Sequence, residues 1–180
     1  MKDIEIIEYN KEDLSNSLLV VAFPTVGLIS SIAGHYIIDS LKLDDIGTII
    51  SNEFMPATVI HKAKPSPPVR IYAGNKKCGP NGECEQLVVI ISEFMPPYNI
   101  IKPLADEILN WASKKGCKTI VALEGTHAFG DIKKELKVYG VGSTSKMKNY
   151  LKTYKIEETQ EGMITGVTGV LLYEGVLKNH

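Results

Sequence analysis

The chain alternates between unbroken apolar runs and longer stretches whose apolar residues recur at helical spacing. Leu18-Leu19-Val20-Val21-Ala22-Phe23 is uninterrupted and stops at Pro24, the pattern of a strand buried on both faces. After Thr25-Val26-Gly27, the residues Leu28, Ile29, Ile32, Ala33, Tyr36, Ile37 and Leu41 repeat at helical spacing and predict a helix over 28–41. Further runs predict strands at 46–51, 69–73, 87–92 and 119–123, with an extended piece at 57–62 and one more strand at 137–142. Helices are predicted at 100–114, stopped by Gly116, and at 144–152. A last one carries Val170-Leu171-Leu172-Tyr173 and opens on the glycine-rich segment 162–169. The prolines of Pro65-Ser66-Pro67-Pro68 fix an extended connector. Strand and helix alternate along most of the chain, which argues for one α/β domain, a three-layer α/β/α sandwich with a mostly parallel mixed sheet.

Two of the strand candidates end on the same tetrapeptide. Glu53-Phe54-Met55-Pro56 closes the run 46–52, and Glu93-Phe94-Met95-Pro96 closes the run 87–92. Open α/β sheets place their sites just beyond the carboxyl ends of the strands, so the two copies mark a candidate cleft. A third strand candidate ends at Glu124, with His127 and Asp131 shortly after it. If these strand ends adjoin, Glu53, Glu93, Glu124 and His127 gather along one edge, with Gly27 at the end of the first strand. Several carboxylates together can do acid and base work or hold a hard cation. Each can equally accept hydrogen bonds from loop amides or sit at a helix N-terminus, where negative charge is favoured. Phe54, Met55, Phe94 and Met95 have two readings of their own: a rim for a protein interface, where aromatics and methionine are enriched, or a cap on the core. His35, on a predicted helix, and His61, on an extended piece, read as structural residues.

Composition narrows the classes. With 180 residues, 44% hydrophobic and 23% charged, the chain is long enough for one sizeable core. A formal net charge of -1 supplies no basic face for nucleic acid or an anionic membrane. No apolar stretch reaches the roughly 18 to 20 residues of a membrane-spanning helix, and the charged start Met1-Lys2-Asp3-Ile4-Glu5 is unlike a signal-peptide core, so a cytoplasmic location is expected. The chain contains no phosphate-binding Gly-x-x-x-x-Gly-Lys loop, no dinucleotide fingerprint after the first strand and no Gly-x-Ser-x-Gly elbow. No cofactor is expected, and no catalytic residue is assigned. Cys78 and Cys84 bracket the turn-forming run Gly79-Pro80-Asn81-Gly82-Glu83. They are either a disulfide clamp on a hairpin or two free thiols, and two ligands are too few for a structural zinc. Cys117 reads as packing.

Order and spacing of several soft motifs then carry a resemblance over nearly the whole chain. Phe23-Pro24-Thr25-Val26-Gly27-Leu28, the two Glu-Phe-Met-Pro copies with their strands, Pro67-Pro68-Val69-Arg70-Ile71-Tyr72, Val121-Ala122-Leu123-Glu124-Gly125, Val138-Tyr139-Gly140-Val141 and Gly162-Met163-Ile164-Thr165-Gly166-Val167-Thr168-Gly169 occur in that order. The chain resembles the proteasome assembly chaperone family of archaea and bacteria. Members of that family also carry a predicted ATP-grasp label, which no phosphate-binding motif here supports. The resemblance implies a purine-nucleoside-phosphorylase-like sandwich and a non-enzymatic role, holding proteasome α-subunits or a related partner, with self-association into a homo-oligomer expected. The rival expectation is an enzyme or a binder of a nucleoside, nucleotide or phosphate in the carboxylate-lined cleft.

Overall fold

The computed structural model describes residues 4–61, 63–79, 82–126 and 137–178. Its main sheet has six strands in the order β1-β3-β6-β7-β2-β8, built from β1 (Ile4–Glu8), β2 (Ser17–Ala22), β3 (Asp44–Ser51), β6 (Val69–Gly74), β7 (Gln86–Ser92) and β8 (Thr119–Ala122). The helices are α1 (Ile29–Leu41), α2 (Tyr98–Lys114), α3 (Ser145–Thr153) and α4 (Gly166–Lys178). Two small antiparallel or parallel pairs stand outside the sheet: β4 (Val59–His61) with β5 (Lys64–Ser66), and β9 (Tyr139–Gly140) with β10 (Glu157–Glu158). The pieces expected at 57–62 and 137–142 therefore form separate ribbons rather than members of the main sheet.

The sheet is mixed, as expected, but not mostly parallel. β2 pairs in parallel with β7 and β8, whereas β1 with β3, β3 with β6 and β6 with β7 are antiparallel. The reason is connection length. β6 and β7 are joined by the cysteine hairpin, which suits an antiparallel pair, while the parallel strands β7 and β8, on either side of β2, are joined by a crossover through α2.

Side chains alternate strictly along the central strands and feed two cores. Val88 and Ile90 of β7 face α2 and α4, and Leu87, Val89 and Ile91 face α1. Because both faces are covered, these strands read as continuous apolar runs. Leu104, Ala105 and Ile108 of α2 are fully buried against the first face, and α4 packs beside α2.

α1 buries a different stripe from the one its periodicity suggests. Ser30, Gly34 and Ile38 are its buried residues, while Leu28, Ile29, Ile32 and Tyr36 stand out in solvent. The sheet is the cause. A Cβ on Gly34 would lie 2.9 Å from the Ala22 Cβ, so glycine lets the helix come down on β2 and β7, and that approach selects the small-residue face. The Ser30 hydroxyl, buried there, bonds to the Phe23 carbonyl and the Thr25 hydroxyl.

β1 was not legible among the charged residues of the N-terminus. It pairs in register Ile4 to Ser51 through Glu8 to Gly47, with Ile4 in the core. Glu8 closes it by accepting hydrogen bonds from Trp111 Nε1 and Lys115 Nζ, each at 2.6 Å.

Cys78 and Cys84 face each other across an isolated antiparallel bridge, with Cα atoms 5.2 Å apart. That separation suits a disulfide. The Glu83 carboxylate beside them accepts from the Tyr154 hydroxyl at 3.0 Å, which ties the hairpin to the end of α3. Titration of the unfolded chain is expected to give one thiol, Cys117, before reduction and three after it; three beforehand would show the pair reduced.

Candidate functional site at the strand ends

β3, β7, β2 and β8 all deliver their carboxyl ends to one edge, because β1 and β6 run the other way. The two Glu-Phe-Met-Pro copies lie on that edge with the start of β6 between their strands, since Val69 is paired opposite Ser92. They meet above β6: the rings of Phe54 and Phe94 pack edge to face with centroids 5.2 Å apart and planes at 76°. Phe94 is buried and Phe54 half-buried, so neither belongs to an exposed rim. Their place in the apolar layer over α2 is the reason, whereas Met55 and Met95 are each 52% exposed.

The three glutamates share this edge but not a partner. Glu53 is exposed, and its Oε2 accepts from Asn99 Nδ2 at 3.3 Å, on the α2 side. Glu93 accepts from the Arg70 guanidinium and lies 3.3 Å from His35 Nε2, on the α1 side. Glu124 shares the wall of a small hollow with Thr168 at the start of α4. Partial burial pushes the Glu124 carboxyl up, against the lowering pull of the Thr168 side chain. Among the described residues no group of three or more His, Cys, Asp or Glu side chains could hold a metal ion. His127 and Asp131 lie outside the described residues.

Gly27 serves the backbone. Its φ of 68° and the 55° of Leu28 are left-handed, and together they turn the chain from β2 into α1. Gly125 serves close approach: its N–H donates to Thr25 Oγ1 at 2.9 Å, and a Cβ there would lie 2.1 Å from the Val26 carbonyl oxygen. Gly125→Ala is expected to destabilise by more than 1 kcal/mol, because the obstacle is backbone rather than a flexible side chain; a melting temperature equal to wild type would refute the contact.

Two hollows open along the edge. One of about 270 Å³ is walled by Phe54, Met55 and Pro56 of the first tetrapeptide with Ile49 and Pro68, and no ionisable side chain among the described residues lines it. The other, of about 70 Å³, lies between the ends of β2 and β8 and the start of α4, walled by Phe23, Val26, Met95 and Val167 with Glu124.

Arg70 is the site residue that sequence reading missed. Its register places it on the α1 face between Val69 and Ile71 of the opposite core, and it is 2% exposed. Its guanidinium carbon lies 5.8 Å from the Tyr72 ring centroid, in addition to the Glu93 pair. An arginine inside an apolar strand demands a buried acceptor, and that was the available signal. No helix among the described residues is long and apolar enough to cross a membrane.

Comparison with known proteins agrees with this architecture. An uncharacterized protein of Methanocaldococcus jannaschii is 31% identical over 169 residues, covering 94% of this chain, which spans 65% of that relative's length. A crystal structure of Pyrococcus furiosus PbaA, described as an archaeal homolog of proteasome-assembly chaperone, superposes with a TM-score of 0.82 at 25% identity, covering 97% of this chain and 67% of that one. Pyrococcus furiosus PbaB, described as an archaeal proteasome activator, shares the fold with a TM-score of 0.79 at 21% identity, over 99% of this chain and 77% of that one. The PAC2 family model matches residues 19–180, and the chain therefore belongs to the PAC2 family.

Proposed function

We propose that this chain is a non-enzymatic protein-binding module of the proteasome-assembly type, holding proteasome α-subunits or a related partner. The observation that carries the reading is the division of labour at the strand ends. The glutamates are engaged separately with Asn99, with Arg70 and His35, and with Thr168, while Met55 and Met95 present apolar surface outward. Carboxylates dispersed in this way are poorly placed for shared acid and base work, and exposed methionines suit an adaptable interface. The likeness to PbaA supports the choice of partner. The same reading carries a cytoplasmic place of action and self-association into a homo-oligomer. Immobilised chain is expected to retain purified archaeal proteasome α-subunits, and absence of retention would count against the proposal.

The rival is an enzyme or small-molecule binder that takes a nucleoside, nucleotide or phosphate at the same edge. Ligand sites usually enclose roughly 300 to 1,000 Å³ around a few convergent polar groups. The larger hollow, about 270 Å³, has no charged group among the described residues of its lining, and the charged one is only about 70 Å³. Nucleosides, nucleotides, phosphate and divalent cations are therefore expected to leave the melting temperature unchanged. A ligand at a hundredfold its Kd would add about 2.7 kcal/mol, and such a shift would favour the rival.

A further inference from the structure

We propose that the small hollow between β2, β8 and α4 is an anchor site for one lysine or arginine side chain of a partner protein other than this chain. The exposed face of α1 forms the apolar remainder of the same footprint. This rests on the protein-binding reading and specifies its chemistry.

The size of the hollow selects the guest. About 70 Å³ accommodates the end of a single side chain, far less than a nucleotide or sugar needs. Its lining selects the charge. Phe23, Val26, Met95 and Val167 provide apolar walls, and among the described residues Glu124 is the only ionisable one in the lining. Among the described residues Glu124 makes no ion pair, and Thr168 stands with it in the lining. An anion is repelled by the carboxylate, which already occupies the start of α4 where an anion would otherwise be favoured. An apolar guest would strip water from the carboxylate without replacing it. A lysine or arginine does both jobs: its methylene stem lies on the apolar walls while its charged end reaches the carboxylate.

The surroundings extend the contact. Val26 walls the hollow and leads into Leu28, Ile29, Ile32 and Tyr36, with Ile32 65% and Tyr36 72% exposed. Ile29, Ile32 and Tyr36 fall on one side of α1, the side that the close packing at Gly34 turns away from the sheet. A cationic anchor beside an apolar strip is a hot spot with a hydrophobic surround, the usual anatomy of a protein interface.

The test uses two capped nonapeptides, alike except for a central lysine flanked by leucines in one and norleucine in its place in the other. Binding is read by titration of the full chain with amide NMR. The lysine peptide is expected to bind about tenfold more tightly than its counterpart and to shift the amides of Gly166 and Thr168. Glu124→Gln, which keeps the shape of the side chain, is expected to erase that preference with no change in melting temperature, while Ile32→Ser weakens both peptides alike. Equal binding of the two peptides, no binding of either, or a lysine preference that survives in Glu124→Gln overturns the proposal. Self-association in sedimentation that Glu124→Gln abolishes would assign the hollow to a second copy of the chain and overturn it also. The functional reading fails separately. Retention of α-subunits by wild type and by Glu124→Gln alike removes the anchor and leaves the chaperone role standing, whereas a lysine preference without α-subunit retention does the reverse.

Discussion

Phe94→Ala is expected to lower the unfolding free energy by about 3 to 5 kcal/mol, whereas Met95→Ala, one residue later, changes it by no more than about 0.5 kcal/mol. The difference follows from where β7 ends. Ser92 closes the strand by a local turn: its hydroxyl donates to the Phe94 carbonyl at 2.7 Å and accepts from the Phe94 N–H at 3.2 Å. That turn directs the Phe94 ring into the core under Phe54, and truncation removes the burial, leaves a cavity and loses the edge-to-face pair, itself worth about 0.5 to 1.5 kcal/mol. Met95 points outward and walls the small hollow, so its loss is expected to weaken the lysine peptide without loss of stability. Urea unfolding of both variants provides the check. A cost below about 1 kcal/mol at Phe94 would mean that the ring pair contributes little to the core.

Glu93→Leu is expected to cost about 3 kcal/mol, through the residue it abandons rather than through its own contacts. Arg70 is 2% exposed, and its Nε has no hydrogen-bond partner among the described residues, so Glu93 is its principal compensation within the sheet. Breaking a buried pair by removing one member typically costs about 3 to 5 kcal/mol, and the 30% exposure of the Glu93 side chain, which lets water reach the guanidinium, places this case at the low end. Replacing both members tells charge from shape. Arg70→Met combined with Glu93→Leu is expected to recover most of the loss, because a well-packed apolar pair needs no partner. A double variant as unstable as Glu93→Leu alone would show that the arginine stem, and not its charge, holds β6 against α1. His35, half-exposed beside Glu93, is expected to contribute little to stability when changed to Ala.

The strand and helix positions were largely legible because burial on both faces leaves an unmistakable mark. Leu18 to Phe23 and Leu87 to Ser92 read as strands for the reason that α1 covers one side and α2 with α4 the other. The helix expected at 144–152 is α3, and the structure adds its N-cap: Thr144 Oγ1 accepts from the Met147 N–H at 3.3 Å. β1 escaped notice because an edge strand alternates isoleucine with glutamate and looks like a charged tail. The site was legible in outline only. Glutamates at strand ends marked the correct edge, yet the partners that separate them, Asn99, Arg70 and Thr168, come from three other elements.

Local pattern thus determined what most segments would become, β1 excepted, together with the family: period, prolines and turn glycines act over a few residues and are written there. The tertiary structure alone decided which way each segment faces. α1 is apolar on both sides, and only the fit of Gly34 over Ala22 and Ile91 chose the face to bury, leaving Ile29, Ile32 and Tyr36 for a partner. The antiparallel placement of β6 between β3 and β7 brought two distant phenylalanines into contact and sent the glutamates beside them to opposite faces of the sheet. Such choices rest on contacts between residues far apart in the chain, where the energy of close packing exceeds any local preference.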